Sequence, residues 1–342
     1  MRDNKNKWLL VTSAAVLALG TASLASANTL QNTIQRGAVQ CGVSDGLPGF
    51  SAPDDQGEWQ GLDVDVCRAV AAAVFGDADA VRYISLNAVE RFTALQSGEV
   101  DVLSRNTTWT TTRDTTLGLN FTGVTFYDGI GFMINRDLGV SSALDLDGAA
   151  ICVQSGTTTE LNVADYFRAN GMEFDPIVFD TSEQTVGGYE AGRCDVLTSD
   201  TSQLAALRIQ LSDPDQSVIL PEIISKEPLG PVVRQGDDQW FNIVKWSLFA
   251  MLNAEEMGIT QENVDEMRNS DDPDIARLLG QDGNYGEGMG LDANWAYNII
   301  SQVGNYGESF ERNVGMGSPL QIERGINALW TNGGIQYAPP IR

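Results

Sequence analysis

Apolar and polar residues alternate along the first part of the chain in a pattern that predicts three strands and two helices. Short apolar runs that end in turn residues predict strands at 38–43, 81–86 and 100–103. Apolar residues at helical spacing predict helices over 62–73 and 89–96. This β-α-β-α-β order is typical of a parallel sheet covered by helices.

The same order begins again in the middle of the chain. Strands are predicted at 149–154, 177–179 and 195–198, and helices at 159–169, 183–191 and 201–210. The 342 residues also exceed what one core usually serves. The sequence therefore predicts an α/β protein with two units, each a mostly parallel sheet flanked by helices.

Two apolar runs, 129–135 and 228–234, lead into the second unit and out of it. A lobe that is entered and left by two strands has a two-strand hinge, which suits closure around a ligand. We expect lobe 1 to comprise 28–131 and 231–342, and lobe 2 to comprise 132–230. A helix over 239–257 is expected to pack back on lobe 1.

The segment from about residue 280 forms a C-terminal extension. It contains Gly-Asn-Tyr-Gly-Glu twice, at 283–287 and 304–308, which we interpret as matching turns beside a helix near 295–303. Two copies are too few for a repeat architecture. The extension is rich in Trp, Tyr and Ile, so we expect it to be folded and to cover lobe 1.

The first 27 residues have the pattern of a cleaved secretory signal peptide. Basic residues precede a short apolar run at 8–19, and Ala25-Ser26-Ala27 is a small-residue cleavage signal. The run is too short to span a bilayer comfortably, and no cysteine follows the cleavage site. We therefore expect a mature chain that begins at Asn28 and is exported to the periplasm.

Composition excludes several functional classes. The chain has no histidine, which removes His-based acid/base catalysis and imidazole metal sites. Its formal charge of −25 repels phosphate backbones, so we expect no nucleic-acid partner. A solvated acidic surface explains this charge, and no DxDxDG calcium loop is present. We expect neither a metal nor a cofactor.

Four cysteines fit an oxidising compartment, and they allow three pairings. Pairing neighbours in sequence would join Cys41 to Cys67 and Cys152 to Cys194, with one disulfide in each unit. Each disulfide would stabilise the fold by about 3–4 kcal/mol in the chain-entropy model. Four buried free thiols remain the alternative, whereas the absence of a CxxC spacing argues against zinc.

Polar residues follow several predicted strands, at the edge where parallel sheets bind ligands. The run 104–113 is rich in hydroxyls and ends in Arg113, a combination that suits a carboxylate. Thr158 lies at a predicted helix start, which attracts anions. Asp200 follows the strand 195–198 and suits an ammonium group. Together these groups predict a receptor for a zwitterion, an α-amino acid.

Each of these features also has a purely structural interpretation. Arg113 could form a surface ion pair, Thr158 could belong to a simple capping turn, and Asp200 could cap the next helix. Phe50, Trp59 and Trp109 are candidate pocket walls, although an aromatic residue more often belongs to a core.

Several longer motifs resemble the periplasmic polar-amino-acid-binding proteins of ABC importers, in particular their general L-amino-acid-binding branch. The resemblance covers nearly the whole mature chain and rests on Cys41-Gly42-Val43, Gly49-Phe50-Ser51, Gly61-Leu62-Asp63-Val64-Asp65, Ala94-Leu95-Gln96-Ser97-Gly98-Glu99-Val100-Asp101-Val102, the threonine run ending in Arg113, Gly156-Thr157-Thr158, Gly192-Arg193-Cys194-Asp195 and Lys226-Glu227-Pro228-Leu229-Gly230-Pro231.

The resemblance implies a type II periplasmic binding protein fold and a role for each site residue. Arg113 would fork onto the ligand α-carboxylate. The hydroxyl of Thr108 would help to hold it, and Thr158, at a helix start, would donate to it from the other lobe. Asn106 would line the site nearby, and Asp200 would hold the α-ammonium. Leu47 stands where many relatives have an aromatic residue, which favours broad specificity over a preference for basic amino acids.

The resemblance also implies a monomeric binding protein that carries free L-amino acids to an ABC permease in the inner membrane. Two other classes use the same fold. A dehydratase acting on prephenate-like acids would need a positioned acid/base pair, which the chain lacks if Asp200 holds an ammonium. A sensor that presents its ligand to a membrane receptor would use the same site.

Overall fold

A computed structural model describes residues 28–342, so the predicted signal peptide lies outside the described residues. The first part of the chain contains α1 (Thr29–Arg36), β1 (Val39–Val43), β2 (Ala52–Pro53), β3 (Trp59–Gln60), α2 (Leu62–Phe75), β4 (Val81–Ser85), α3 (Arg91–Ser97), β5 (Val102–Leu103), α4 (Thr111–Thr116), β6 (Leu119–Phe121) and β7 (Phe126–Asp128). Each predicted element is present here, with ends that differ by at most two residues. Helix α4 was not predicted.

The middle of the chain forms a second sheet. Its elements are β8 (Ile130–Asn135), β9 (Ala150–Gln154), α5 (Thr158–Ala169), β10 (Asp175–Phe179), α6 (Ser182–Glu190), β11 (Val196–Asp200), α7 (Thr201–Arg208) and β12 (Ser217–Ile219). The strand order is β10-β9-β11-β8-β12, with β10, β9 and β11 parallel and β8 antiparallel to its two neighbours. This second α/β unit confirms the predicted two-lobed fold class.

The chain then returns to the first sheet and ends in helices. The elements are β13 (Glu227–Leu229), β14 (Val232–Arg234), α8 (Asp238–Glu256), α9 (Val264–Met267), α10 (Pro273–Leu278), α11 (Trp295–Val303) and α12 (Tyr306–Asn313). Strand β14 lies antiparallel between β5 and β6, which completes the first sheet in the order β4-β1-β5-β14-β6. Both ends of the described chain thus contribute to one lobe.

A two-stranded antiparallel ribbon of β7 and β13 crosses between the lobes, with Asp128 opposite Glu227 and Phe126 opposite Leu229. The sequence had placed the first crossing within 129–135. Those residues instead contain β8, whose side chains from Ile130 to Ile134 are buried in the second sheet. The apolar run is therefore a sheet strand, and the crossing precedes it.

Two disulfides stabilise the lobes separately. Cys41 of β1 is joined to Cys67 of α2, and Cys152 of β9 is joined to Cys194, which lies just before β11. The Cα atoms of the two pairs are 6.2 and 5.6 Å apart. These are the neighbouring pairs that the sequence suggested. Each disulfide lies within one lobe, and neither joins the two lobes across the ribbon of β7 and β13, called the hinge ribbon below.

The C-terminal extension packs on the first lobe. Helix α11 lies against α2 and α8, and α12 binds the buried carboxylate of Asp65 through Ser309 Oγ and Arg312 Nη2, both at 2.6 Å. The second Gly-Asn-Tyr-Gly-Glu copy is more than a turn, because Asn305 and Glu308 form a capping box that begins α12.

The end of the extension contacts the hinge. The side-chain oxygen of Asn327 accepts the backbone N–H of Tyr127 at 2.7 Å, and its Nδ2 donates to the carbonyl of the same residue at 3.1 Å. Gln336 Nε2 donates to the carbonyl of Val124 at 3.1 Å. A residue of the extension therefore occupies the outer edge of β7.

No helix within residues 28–342 has the length and hydrophobicity that crossing a membrane requires.

Candidate functional site: the cleft between the lobes

A small cavity of about 10 Å³ lies between the carboxyl ends of the two sheets, enough for about one water molecule. The first lobe lines it with residues that follow β5 and with the first residue of α3, and the second lobe with the ends of β9 and β11 and the starts of α5 and α7. The lining residues are Arg91, Arg105, Asn106, Thr108, Gln154, Thr157, Thr158, Thr159, Ser199, Asp200 and Gln203.

Side chains of the two lobes touch across this cavity. Thr108 Oγ1 and Thr158 Oγ1 are 3.3 Å apart, and Asn106 Nδ2 donates to Gln203 Oε1 at 3.0 Å. Because each pair joins residues from different lobes, the lobes are closed on each other at this point.

The loop after β5 is held by a buried carboxylate. Asn106 has a positive φ of 26°, which is uncommon for a residue other than glycine. Its backbone N–H donates to Asp63 Oδ2 at 2.8 Å. Burial raises the pKa of Asp63 from 3.8 to about 6, against the lowering effect of that hydrogen bond and of Arg105.

Arg113 lies in α4, whose first turn is capped by the hydroxyl of Thr110. Its Nη1 donates to the carbonyl of Thr108 at 2.9 Å, and its guanidinium carbon lies 5.1 Å from the centre of the Phe92 ring. The side chain is buried, and this burial lowers its pKa to about 10. Arg113 is therefore a largely desolvated cation rather than the surface ion pair of the alternative interpretation.

Arg113 also borders a second, larger part of the cleft. That space has a volume of about 710 Å³ and shares Thr108, Thr157 and Thr158 with the small cavity. Its other walls include the apolar side chains of Phe92 and Leu161. The threonines thus separate a narrow polar cavity from a wider and more apolar one.

Asp200 ends β11 and lies at the N-cap position of α7, yet its side chain caps no backbone N–H. It is 6% exposed. Burial raises the pKa of Asp200 well above its usual range, and the neighbouring carboxylates of Asp128 and Glu227 add to this effect, whereas Arg91 and Arg113 oppose it. A buried carboxyl next to a polar cavity can bind a cationic group such as an ammonium.

Glu227 of the hinge ribbon belongs to the same network, although the sequence analysis gave it no role. Its carboxylate accepts hydrogen bonds from Thr158 Oγ1 at 2.9 Å, Asn162 Nδ2 at 2.9 Å and Ser225 Oγ at 2.7 Å. Its place in the Lys226–Pro231 motif was the only available signal. Through Thr158, this residue links the hinge to the cleft.

Arg91 and Arg105 were also missed. Both side chains are 3% exposed and both line the small cavity. The position of Arg105 directly after a strand was the available signal, while nothing in the sequence indicated that Arg91 is buried.

The structure brings five of the seven predicted ligand-binding residues together and leaves two outside the cleft lining. Phe50 lies in the core of the first lobe, where its ring meets the Phe126 ring edge to face at 5.5 Å. Trp109 is 38% exposed and stacks on Phe121 at 5.3 Å. Neither lines the cavity, because each has an aromatic partner within its own lobe. Trp59, the third candidate wall, packs against Tyr83 on that lobe.

Comparison with known proteins places this arrangement in a family. Residues 39–263 match the bacterial extracellular solute-binding proteins, family 3. The chain belongs to this family. The matched range contains the hinge ribbon and every residue that lines the small cavity.

Relatives of known type cover the extension as well. The general L-amino acid-binding periplasmic protein of Rhizobium johnstonii is 63% identical over 99% of this chain and 100% of its own length. The glutamate/glutamine/aspartate/asparagine-binding protein of Rhodobacter capsulatus is 54% identical, over 96% of this chain and 98% of its own length.

A solved structure also matches closely. The periplasmic binding protein of Brucella ovis, with glutathione bound, superposes with a TM-score of 0.91 at 60% identity and covers 92% of this chain and 100% of its own chain. These relatives show a type II two-lobed solute-binding protein of the kind that serves ABC importers, and not an enzyme.

Proposed function

We propose that this protein captures free L-amino acids in the cleft between its lobes and delivers them to the permease of an ABC importer. The observation that best supports this proposal is the placement of two buried, oppositely charged groups. Arg113 of the first lobe and Asp200 of the second both border the same cleft. A zwitterion is the ligand that pairs with both groups at once.

Each end of the ligand has a place in this arrangement. The α-carboxylate would lie against the Arg113 guanidinium and accept hydrogen bonds from the Thr108 hydroxyl and from the backbone N–H of Thr158 at the start of α5. Asn106 would line the site beside it, and the α-ammonium would lie against Asp200. Because these residues come from both lobes, a bound amino acid favours the closed form, which is the form that a permease could distinguish.

The organisation around the cleft supports the same function. The segments 28–125 and 230–342 would move as one lobe and 129–226 as the other, about the ribbon of β7 and β13. Each lobe has its own disulfide, so the lobes could reorient without straining one. We further propose that the signal peptide is cleaved before Asn28 and that the mature protein is a periplasmic monomer. The protein would bind a broad range of amino acids, because Leu47 replaces an aromatic residue of many relatives.

Glutathione is a second candidate ligand, because the Brucella ovis relative was solved with it bound. Its γ-glutamyl end presents the same α-carboxylate and α-ammonium as a free amino acid. The wider part of the cleft, about 710 Å³, could hold the remainder of the tripeptide.

The test is calorimetry of the purified mature protein with the common L-amino acids and glutathione. We expect Arg113→Ala and Asp200→Ala each to weaken binding about 30-fold or more, because each leaves a buried charge of the complex unpaired. The matched controls Arg208→Ala and Asp165→Ala change exposed residues of the second lobe and should bind normally. Near wild-type affinity in either site variant, with its unfolding midpoint unchanged, would overturn the site assignment.

A further inference from the structure

Helix α7 begins directly after Asp200, which is its N-cap residue. An aspartate at that position ordinarily accepts a hydrogen bond from a backbone N–H two or three residues later. The side chain of Asp200 makes no such bond. The first N–H groups of α7 therefore need acceptors from another part of the fold, because unpaired donors in a protein interior are costly.

These acceptors come from the end of β7, in the hinge ribbon. Asp128 Oδ2 accepts the backbone N–H of Ser202 at 3.2 Å, and Asp128 Oδ1 accepts the hydroxyl of Thr201 at 2.5 Å. The carbonyl of Gly129 accepts the backbone N–H of Thr201 at 2.8 Å. Asp128 thus caps a helix whose Ser202 lies 74 positions further along the chain.

This arrangement explains why the carboxyl of Asp200 lies at the small cavity and not against its own helix. An N-cap aspartate without an external acceptor would gain a hydrogen bond by turning towards the N–H of Ser202. Here Asp128 already occupies that N–H. The turn would also bring two carboxyl groups together, which is unfavourable when both are ionised.

The charged groups that interact with Asp200 come from several elements packed around it. They are Asp128 of β7, Glu227 of β13, Arg91 of α3, Arg113 of α4 and Arg105 after β5. Burial raises the pKa of Asp128, and its hydrogen bonds to Ser202, Thr201 and Gly129 oppose this effect. These hydrogen bonds favour the ionised form of Asp128, so a proton shared by the two carboxyls belongs on Asp200.

We propose that Asp128 is a positioning residue for amino-acid binding, because it caps α7 from the hinge ribbon and so leaves the Asp200 carboxyl free to hold the α-ammonium of the ligand. This inference rests on the proposed function, which assigns the α-ammonium to Asp200. Asp128 is not among the residues that line the small cavity, so it acts through Asp200 and not by touching the ligand.

The first experiment is calorimetry at pH 7.5 on purified mature protein. The probe is L-glutamine, or whichever common L-amino acid binds wild-type protein most tightly. Asp128→Ala should weaken binding about 10-fold or more, because Asp200 can then turn to cap its own helix.

The matched control is Asp237→Ala. Asp237 also caps a helix, α8, and its carboxylate accepts the backbone N–H of Trp240 at 3.0 Å and of Thr29 at 2.8 Å. It belongs to the first lobe and lines neither part of the cleft. This variant should lose stability, as Asp128→Ala does, but its affinity should change less than about 3-fold.

Two readouts distinguish positioning from a merely structural role. In an Asp200→Asn background, Asp128→Ala should weaken binding by less than about 3-fold, because the residue through which it acts has been changed. Asp128→Asn keeps one acceptor oxygen for the cap but removes the charge. It should retain more affinity than Asp128→Ala, and the pH at which affinity begins to fall should move down by about 0.5 unit or more.

The possible failures are distinguishable. The inference about Asp128 is wrong, while the proposed function stands, if Asp128→Ala binds the probe within about 3-fold of wild type or if its effect is equally large in the Asp200→Asn background. If Asp128→Ala does not fold, Asp128→Asn decides, and a pH profile identical to that of wild type overturns the inference. If wild-type protein binds no common L-amino acid, the proposed function fails and the inference fails with it.

Discussion

The buried carboxyl of Asp200 should make amino-acid binding depend on pH. Burial, Asp128 and Glu227 raise the pKa of this group well above its usual range, so without ligand it keeps a proton at pH values where an exposed aspartate is ionised. An α-ammonium group placed against it favours the carboxylate. Ligand binding therefore lowers the pKa of Asp200, and a proton is released when the site is filled at a pH below the ligand-free pKa.

The magnitude follows from linkage. Above the ligand-free pKa of Asp200 the affinity should be independent of this group. As the pH falls through that pKa, the apparent affinity should fall towards a limit of about 10-fold per pH unit, equivalent to about 1.4 kcal/mol. Asp200→Asn removes the titrating group. The variant should bind more weakly, and its affinity should not show this fall with decreasing pH.

The assay is calorimetry between pH 4.5 and 8.5 in pairs of buffers with different ionisation enthalpies, which counts the protons released. The exposed Asp165→Asn variant is the control and should retain the wild-type profile. The reasoning would be refuted if wild-type protein released no proton anywhere in this range, or if Asp200→Asn showed the same loss of affinity at low pH.

Two further predictions concern the supports of the cleft. Because the pKa of Asp63 is raised from 3.8 to about 6, its carboxyl stabilises the fold below about pH 4, and that contribution is lost as the pH rises through 6. Urea unfolding measures the free energy of unfolding of both proteins. Between pH 4 and pH 6.5 the value for Asp63→Asn should rise relative to that of wild type by up to about 3 kcal/mol. A difference that does not change with pH would contradict this. Asn327→Ala removes two hydrogen bonds to the hinge strand, so it should lower the free energy of unfolding by about 1–3 kcal/mol and weaken all ligands by one common factor. Unchanged affinities, equal to those of the exposed control Asn332→Ala, would show that this contact does not influence closure.

The sequence predicted the sheets well because hydrophobic periodicity is a local property. It missed α4, whose sequence Thr-Thr-Arg-Asp-Thr-Thr contains no apolar residue and whose start depends on the Thr110 cap. It therefore assigned no secondary-structure element to the surroundings of Arg113. The positions of Arg113 and Asp200 at the sheet edges could still be inferred, since their strands and the rule for ligand sites were both readable.

The side chains that the sequence misplaced depend on distant partners. Phe50 turns into the core because Phe126, 76 positions later, supplies an aromatic face for it. The second lobe helps to bury Arg91, because the side chain lines a cavity shared with that lobe and its Nη2 donates to the Gly156 carbonyl at 3.4 Å. Local patterns contain no information about either contact.

The contact between Asn327 and the hinge strand separates two properties that a transport protein needs. In the function proposed above, ligand choice would depend on side chains inside the cleft, whereas the opening rate would depend on how firmly residues 124–127 are held from outside. The family match ends at residue 263, and both side chains that hold this segment, Asn327 and Gln336, come later in the chain. Substitutions in the extension could therefore alter how long a substrate stays bound, and how readily it is handed over, without changing which substrate is chosen.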